Sequence, residues 1–61
     1  MENRIRELRK AAGLRQEDLA RELGVTRQTI NAIEKGEYNP TIKLCRKLCV
    51  ILNRSLDDLF W

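Results

Sequence analysis

Arg27, Gln28, Thr29 and Asn31 place paired hydrogen-bonding groups within five consecutive positions of the chain. A guanidinium donates through parallel N–H groups, and a carboxamide offers donors beside an acceptor. Such pairs match base edges in the major groove of a duplex: arginine fits guanine O6 and N7, and glutamine or asparagine fits adenine N6 and N7. Thr29 and Ala32 suit a thymine methyl or a phosphate. A polar, solvated helix face carries the same residue types, so placement decides what they mean.

The placement comes from Gln16 to Lys35, QEDLARELGVTRQTINAIEK. Ala20 keeps a small residue where two helices would cross closely, and Gly24 supplies the positive φ that a sharp turn needs. Thr26 is a favourable N-cap, and Val25, Ile30 and Ile33 face inward. The polar row is therefore left on the outside of the second helix, close to its N-terminus. This is the layout of a helix-turn-helix, in which one helix enters a groove about 12 Å wide and the other braces it.

The flanks predict three more helices. A first helix runs through NRIRELRKAAG, with Ile5, Leu8 and Ala12 at helical spacing, a stop at Gly13 and Leu14 as an apolar plug. A second begins at 15 or 16 and ends at 23, with Leu19, Ala20 and Leu23 inward and Glu17 and Asp18 near the positive end of its dipole. The third covers 27–35, ending at Gly36. The fourth covers roughly 41–52, capped by either Asn39 or Thr41, with Ile42, Cys45, Leu48, Cys49 and Leu52 on the core side and Asn53 as a left-handed stop. Ser55 with Asp58 resembles a capping box opening a short helix over 56–60. The expectation is an all-α, five-helix fold in a single domain over 1–61.

Composition excludes more than it proves. Twelve Lys and Arg against nine Asp and Glu give +3 and a pI near 9.2, which is compatible with a polyanion and weak by itself. The chain has no histidine, which removes imidazole bases and histidine metal sites together. Cys45 and Cys49 share a helix face, but a closed metal site needs about four ligands. They read as small, reduced, apolar core residues. No metal, cofactor or enzymatic activity is expected. No apolar run approaches the roughly 20 residues of a membrane span, and no signal-peptide pattern opens the sequence, so a cytoplasmic location without membrane contact is expected.

The pieces IRELRKAAGLRQEDLARELGV, TRQTINAIEKGEYNP and SLDDLF, in this order and spacing, resemble the phage repressor and Cro family of helix-turn-helix regulators in its short stand-alone form. The resemblance covers nearly the whole chain and implies the lambda-repressor-like DNA-binding fold. By resemblance, Arg27, Gln28 and Asn31 would read bases, with Thr29 close to the backbone. Gln16 would bind a phosphate and brace Gln28, and Lys35, Tyr38, Asn39 and Lys43 would contact phosphates. Arg9 and Glu34 would form a partly buried ion pair between the first and third helices. One position departs from the pattern: Arg15 stands where the family usually has Thr or Ser. Arginine cannot accept from free N–H groups, so that helix start should be weaker by about 1 kcal/mol. Arg15 could instead reach a phosphate.

One such module touches few base pairs, and two on a palindromic operator raise affinity and specificity. Val50 lies outside the core stripe and the chain closes on Leu59-Phe60-Trp61; Phe60 could complete the monomer core, Trp61 has fewer options, and a homodimer through these residues is expected. The leading function is a transcriptional regulator, most often a repressor, binding double-stranded DNA. An antitoxin-like role would add a protein partner. An interaction adaptor without DNA should carry acidic or apolar residues on the outer face of the third helix, and Arg27, Gln28 and Asn31 are neither.

Overall fold

A computed structural model describes residues 3–60. Five helices follow one another: α1 (Ile5–Ala11), α2 (Gln16–Leu23), α3 (Arg27–Glu34), α4 (Ile42–Leu52) and α5 (Leu56–Leu59). No strand forms among the described residues; a single antiparallel bridge joins Asn3 and Phe60.

Each long helix stops in the same way. In α1 to α4 a residue in the left-handed region follows the last turn, at Gly13, Gly24, Gly36 and Asn53. The next amide then reaches back five residues: Leu14 to Arg9, Val25 to Ala20, Glu37 to Ala32 and Arg54 to Cys49, at 2.9–3.1 Å. This double-bonded ending satisfies carbonyls that the helix would leave open. At Gly24, φ is 72° and a β-carbon would meet nothing within 4 Å, so conformation rather than space dictates glycine there.

Helix starts are equally local. Thr26, Thr41 and Ser55 accept from the amides of Thr29, Leu44 and Asp58 at 3.2, 3.1 and 3.3 Å. Thr41, not Asn39, therefore caps α4. Asp58 completes a capping box by accepting from the Ser55 amide. At α2, Asp18 accepts from the Arg15 amide at 2.9 Å, while the Arg15 guanidinium offers no acceptor and binds Asp18 and Glu17 instead. Only half of a capping box is present there.

Both aspartates titrate below the ordinary carboxylate value of 3.8. For Asp18 the Arg15 side chain is the main cause and the Arg15 amide the next; for Asp58 the Ser55 amide leads and its hydroxyl follows. A depressed carboxylate stabilises the fold above its unfolded pKa and loses that contribution as pH falls through its folded value. The melting temperature of an Asp18→Asn/Asp58→Asn double variant should lie below wild type at pH 6, with the two converging as pH falls through the lowered carboxylate values. Parallel curves across this range would refute the cap assignment.

The core is aliphatic: Ile5, Leu19, Ala20, Leu23, Ile30, Ile33, Leu48, Leu52 and Leu59 are buried, with Leu8, Leu14, Val25, Cys49 and Phe60 packed against them. Of the helix pairs, α2 and α3 pack together most extensively, and the small Ala20 is buried among the core residues. Cys45 and Cys49 are free thiols, half-buried rather than fully enclosed. Three expectations need correction. Ala12 is exposed, because α1 ends at Ala11 and its successor turns into the cap. Ile42 is 77% exposed, because it opens α4 before the helix reaches the core at Leu48 and Leu52. Leu59 is fully buried inside the monomer, so it cannot contribute side-chain surface to a partner. The helices over 27–35 and 56–60 each end one residue earlier than expected, at Glu34 and Leu59.

The first and last described residues are tied together. The Arg4 amide donates to Leu59 O at 2.9 Å, and Asn3 donates to Ile33 O at 2.7 Å while accepting from the Ile5 amide. Asn3 thus starts α1 and fixes it to α3. Trp61 lies outside the described residues.

Candidate nucleic-acid interface

The buried face of α3 holds Ile30 and Ile33 against the core, which turns Arg27 and Gln28 fully outward and leaves Thr29 and Asn31 half-buried. The Thr29 hydroxyl lies 3.0 Å from that of Thr26, so part of its bonding capacity is spent on the cap.

Beside this helix lies an open hollow of about 560 Å³, lined by Arg6, Arg15, Gln16, Arg27, Asn31 and Lys35, with Arg9, Glu34, Leu14 and Glu17 completing its wall. Five cationic side chains meet two carboxylates there, and both carboxylates are already paired, Glu34 with Arg9 and Glu17 with Arg15. The hollow therefore presents positive charge next to the polar row, which suits a phosphodiester backbone. Arg6 was not singled out from sequence. It is one of several cations on α1, and only the packing of α1 on α3 selects it.

Arg9 and Glu34 form the floor of this hollow. Arg9 Nε donates to Glu34 Oε2 at 2.7 Å, with the two side chains 8% and 3% exposed. Arg9 Nη2 donates to Glu34 Oε1 at 3.3 Å, and Nη1 donates to Leu14 O at 2.8 Å. One guanidinium thus joins α1, the entrance to α2 and the last residue of α3. Charge-assisted, bidentate contacts of this kind are the strong ones.

Gln16 bonds differently from expectation. It does not brace Gln28; its Nε2 donates to Asn31 Oδ1 at 3.2 Å and to Glu34 Oε1 at 3.1 Å. Gln28 lies four residues past the Gly24 turn and faces solvent, whereas Asn31, one helical turn on, comes back beside α2. Arg15 stays on the rim, held by Asp18 and Glu17, and its hydrogen bond to Asp18, followed by the charges of Asp18 and Glu17, raises its pKa further above the ordinary arginine value. Lys35 is exposed at the end of α3. Tyr38 and Asn39 are exposed in the following loop and Lys43 in the first turn of α4, all three outside the hollow.

Two helices packed around a left-handed glycine, with the second presenting a polar outer face, define a helix-turn-helix protein. The chain matches the helix-turn-helix family over residues 5–59. It is 46% identical to the uncharacterised HTH-type transcriptional regulator YgzD of Bacillus subtilis, across 100% of this chain and 92% of that one. It is 47% identical to an uncharacterised HTH-type transcriptional regulator of Archaeoglobus fulgidus, across 98% of this chain and 86% of that one. The crystal structure of the restriction-modification controller protein C.AhdI from Aeromonas hydrophila superposes with a TM-score of 0.83 at 38% identity, covering 93% of this chain and 86% of that one. The chain belongs to the helix-turn-helix family of DNA-binding transcriptional regulators, which is not an enzyme class. No helix among the described residues is long and apolar enough to cross a membrane.

Proposed function

We propose that this chain regulates transcription, most simply as a repressor, by binding a palindromic operator as a homodimer and reading its major groove with α3. The observation that carries this is the division of α3: Ile30 and Ile33 are buried at 1% exposure, while Arg27 and Gln28 project outward beside the basic hollow. Arg27, Gln28 and Asn31 read base edges, with Thr29 near the backbone. Gln16, Arg15, Lys35, Tyr38, Asn39 and Lys43 take phosphates. For Arg15 this means exchanging its present carboxylate partners for a phosphate. For Gln16 it means binding through the backbone N–H at the start of α2, because both protons of its side-chain amide are engaged by Asn31 and Glu34.

Dimerisation rests on the surface around the end of α4 and on α5. Val50 is 79% exposed and Leu56 53% exposed, and Phe60, just past the end of α5, is half-buried. Burying these side chains against a second copy of the chain would remove apolar surface from water. Sedimentation equilibrium should show a dimer at tens of micromolar that Val50→Glu converts to monomer; a wild-type monomer at high micromolar concentration would defeat the proposal.

Selection of bound sequences from a random duplex pool tests the whole reading. An inverted repeat with half-sites about one helical turn apart, roughly 34–36 Å, is expected. Arg27→Ala and Gln28→Ala should each relax preference at one base pair by about 1–3 kcal/mol, whereas Lys43→Ala should weaken all sequences alike. Recovery of an unstructured pool would overturn it.

A further inference from the structure

The bonds around Gln16 have a direction. Arg9 only donates, and the carboxylate it pairs with, Glu34, only accepts. Gln16 must therefore turn its amide nitrogen, not its oxygen, toward Glu34 Oε1, 3.1 Å away. That same nitrogen lies 3.2 Å from the Asn31 side chain, which must answer with its carbonyl oxygen. The orientation of a carboxamide is usually ambiguous, because oxygen and nitrogen are interchangeable in shape. Here the buried charge at the end of the chain of bonds removes the ambiguity. Asn31 Oδ1 is turned toward α2, and Nδ2 becomes the edge that Asn31 offers to the hollow it shares with Arg27 and Lys35.

From this geometry we infer that Gln16 and Glu34 are positioning residues for sequence recognition: they hold Asn31 as a hydrogen-bond donor, so that it selects a base presenting acceptors to the major groove, guanine before adenine. The inference rests on the reading of DNA by α3. Bidentate recognition of adenine uses the carbonyl and the amide of asparagine together, and guanine presents only acceptors, O6 and N7, at the same edge. An Asn31 whose carbonyl is already engaged by Gln16 suits the second better than the first. Glu34, whose side chain is 3% exposed, thereby influences base choice without reaching the base.

The test has two arms. In the free protein, side-chain scalar couplings measured by NMR should show Asn31 in one rotamer, with contacts between its side chain and the Gln16 amide protons. Gln16→Met keeps the length of the side chain and removes the donor, and it should leave Asn31 averaging over several rotamers while the domain stays folded. In the DNA arm, pool selection with Asn31→Ala locates the base pair that Asn31 reads. Wild type should favour guanine over adenine there by roughly tenfold, and Gln16→Met should erase most of that ratio while preserving the preferences set by Arg27 and Gln28. Rotamer averaging in the wild-type free protein overturns the inference whatever the DNA arm gives. A guanine-to-adenine ratio unchanged by Gln16→Met, or an adenine preference in wild type, also overturns it. A rigid Asn31 in a protein that selects no sequence overturns the DNA-reading function instead.

Discussion

Replacing Glu34 with alanine is expected to destabilise the fold by about 3–5 kcal/mol, because it leaves the Arg9 guanidinium buried without its counter-charge. Leu14 O, at 2.8 Å, would be its remaining partner among those described above, and a carbonyl does not neutralise a cation. A domain of this size has roughly 3–9 kcal/mol to lose. The variant should therefore melt at least about 12 °C below wild type, taking about 4–8 °C per kcal/mol, or fail to fold at ambient temperature. An Arg9→Met/Glu34→Leu double variant should recover most of the loss, since removing both charges also removes their desolvation. Thermal and urea denaturation followed by circular dichroism measure both. Equal melting temperatures for wild type and Glu34→Ala would show that the pair contributes no more than an exposed one.

DNA affinity should depend steeply on salt. If each subunit neutralises about four phosphates, a dimer on its operator should give a log–log slope near −7, and affinity should fall by about 10⁴ between 50 and 200 mM salt. The cations around the hollow are the source of this expectation: Arg6, Arg15, Arg27 and Lys35 lie together on its wall, where the net formal charge of the whole chain is only +3. Clustering, not total charge, produces the effect. Fluorescence anisotropy with a labelled operator across a salt series gives the slope. A slope near zero would argue for an interaction adaptor that keeps this fold without using DNA.

Much of the fold could be read from the sequence because its punctuation is local. Thr26, Thr41 and Ser55 cap the helices that follow them, and the left-handed residues Gly13, Gly24, Gly36 and Asn53 close those that precede them. Such signals act within one turn and need no partner. The errors fell where burial depends on distant chain. Ile42 shares a helical stripe with Cys45 and Cys49, yet periodicity cannot say where along a helix the core begins. Leu59 carries the apolar signature of an interface, but the pairing of Arg4 with Leu59 encloses it within one molecule, and that contact joins opposite ends of the sequence. For the site, the polar row on α3 was legible from the positions of Ile30 and Ile33. The partner of Gln16 was not, because the choice between Gln28 and Asn31 is set by how α2 lies against α3. The same applies to Arg6 and to Asn3, whose roles appear only once α1 is docked on α3.

The junction of Asn3 and Arg4 with Leu59 and Phe60 also makes the fold a nearly closed loop of chain. Domains whose ends meet tolerate having those ends joined and new ones cut elsewhere. A short flexible tether across this junction, with new termini opened in the exposed turn between Tyr38 and Asn39, would separate α1–α3 from α4–α5 in order of synthesis while leaving their packing unchanged. Such a permuted protein would place both ends near the proposed phosphate contacts of the α3–α4 loop. It offers a way to fuse a second recognition module directly beside the DNA rather than on the far side of the core.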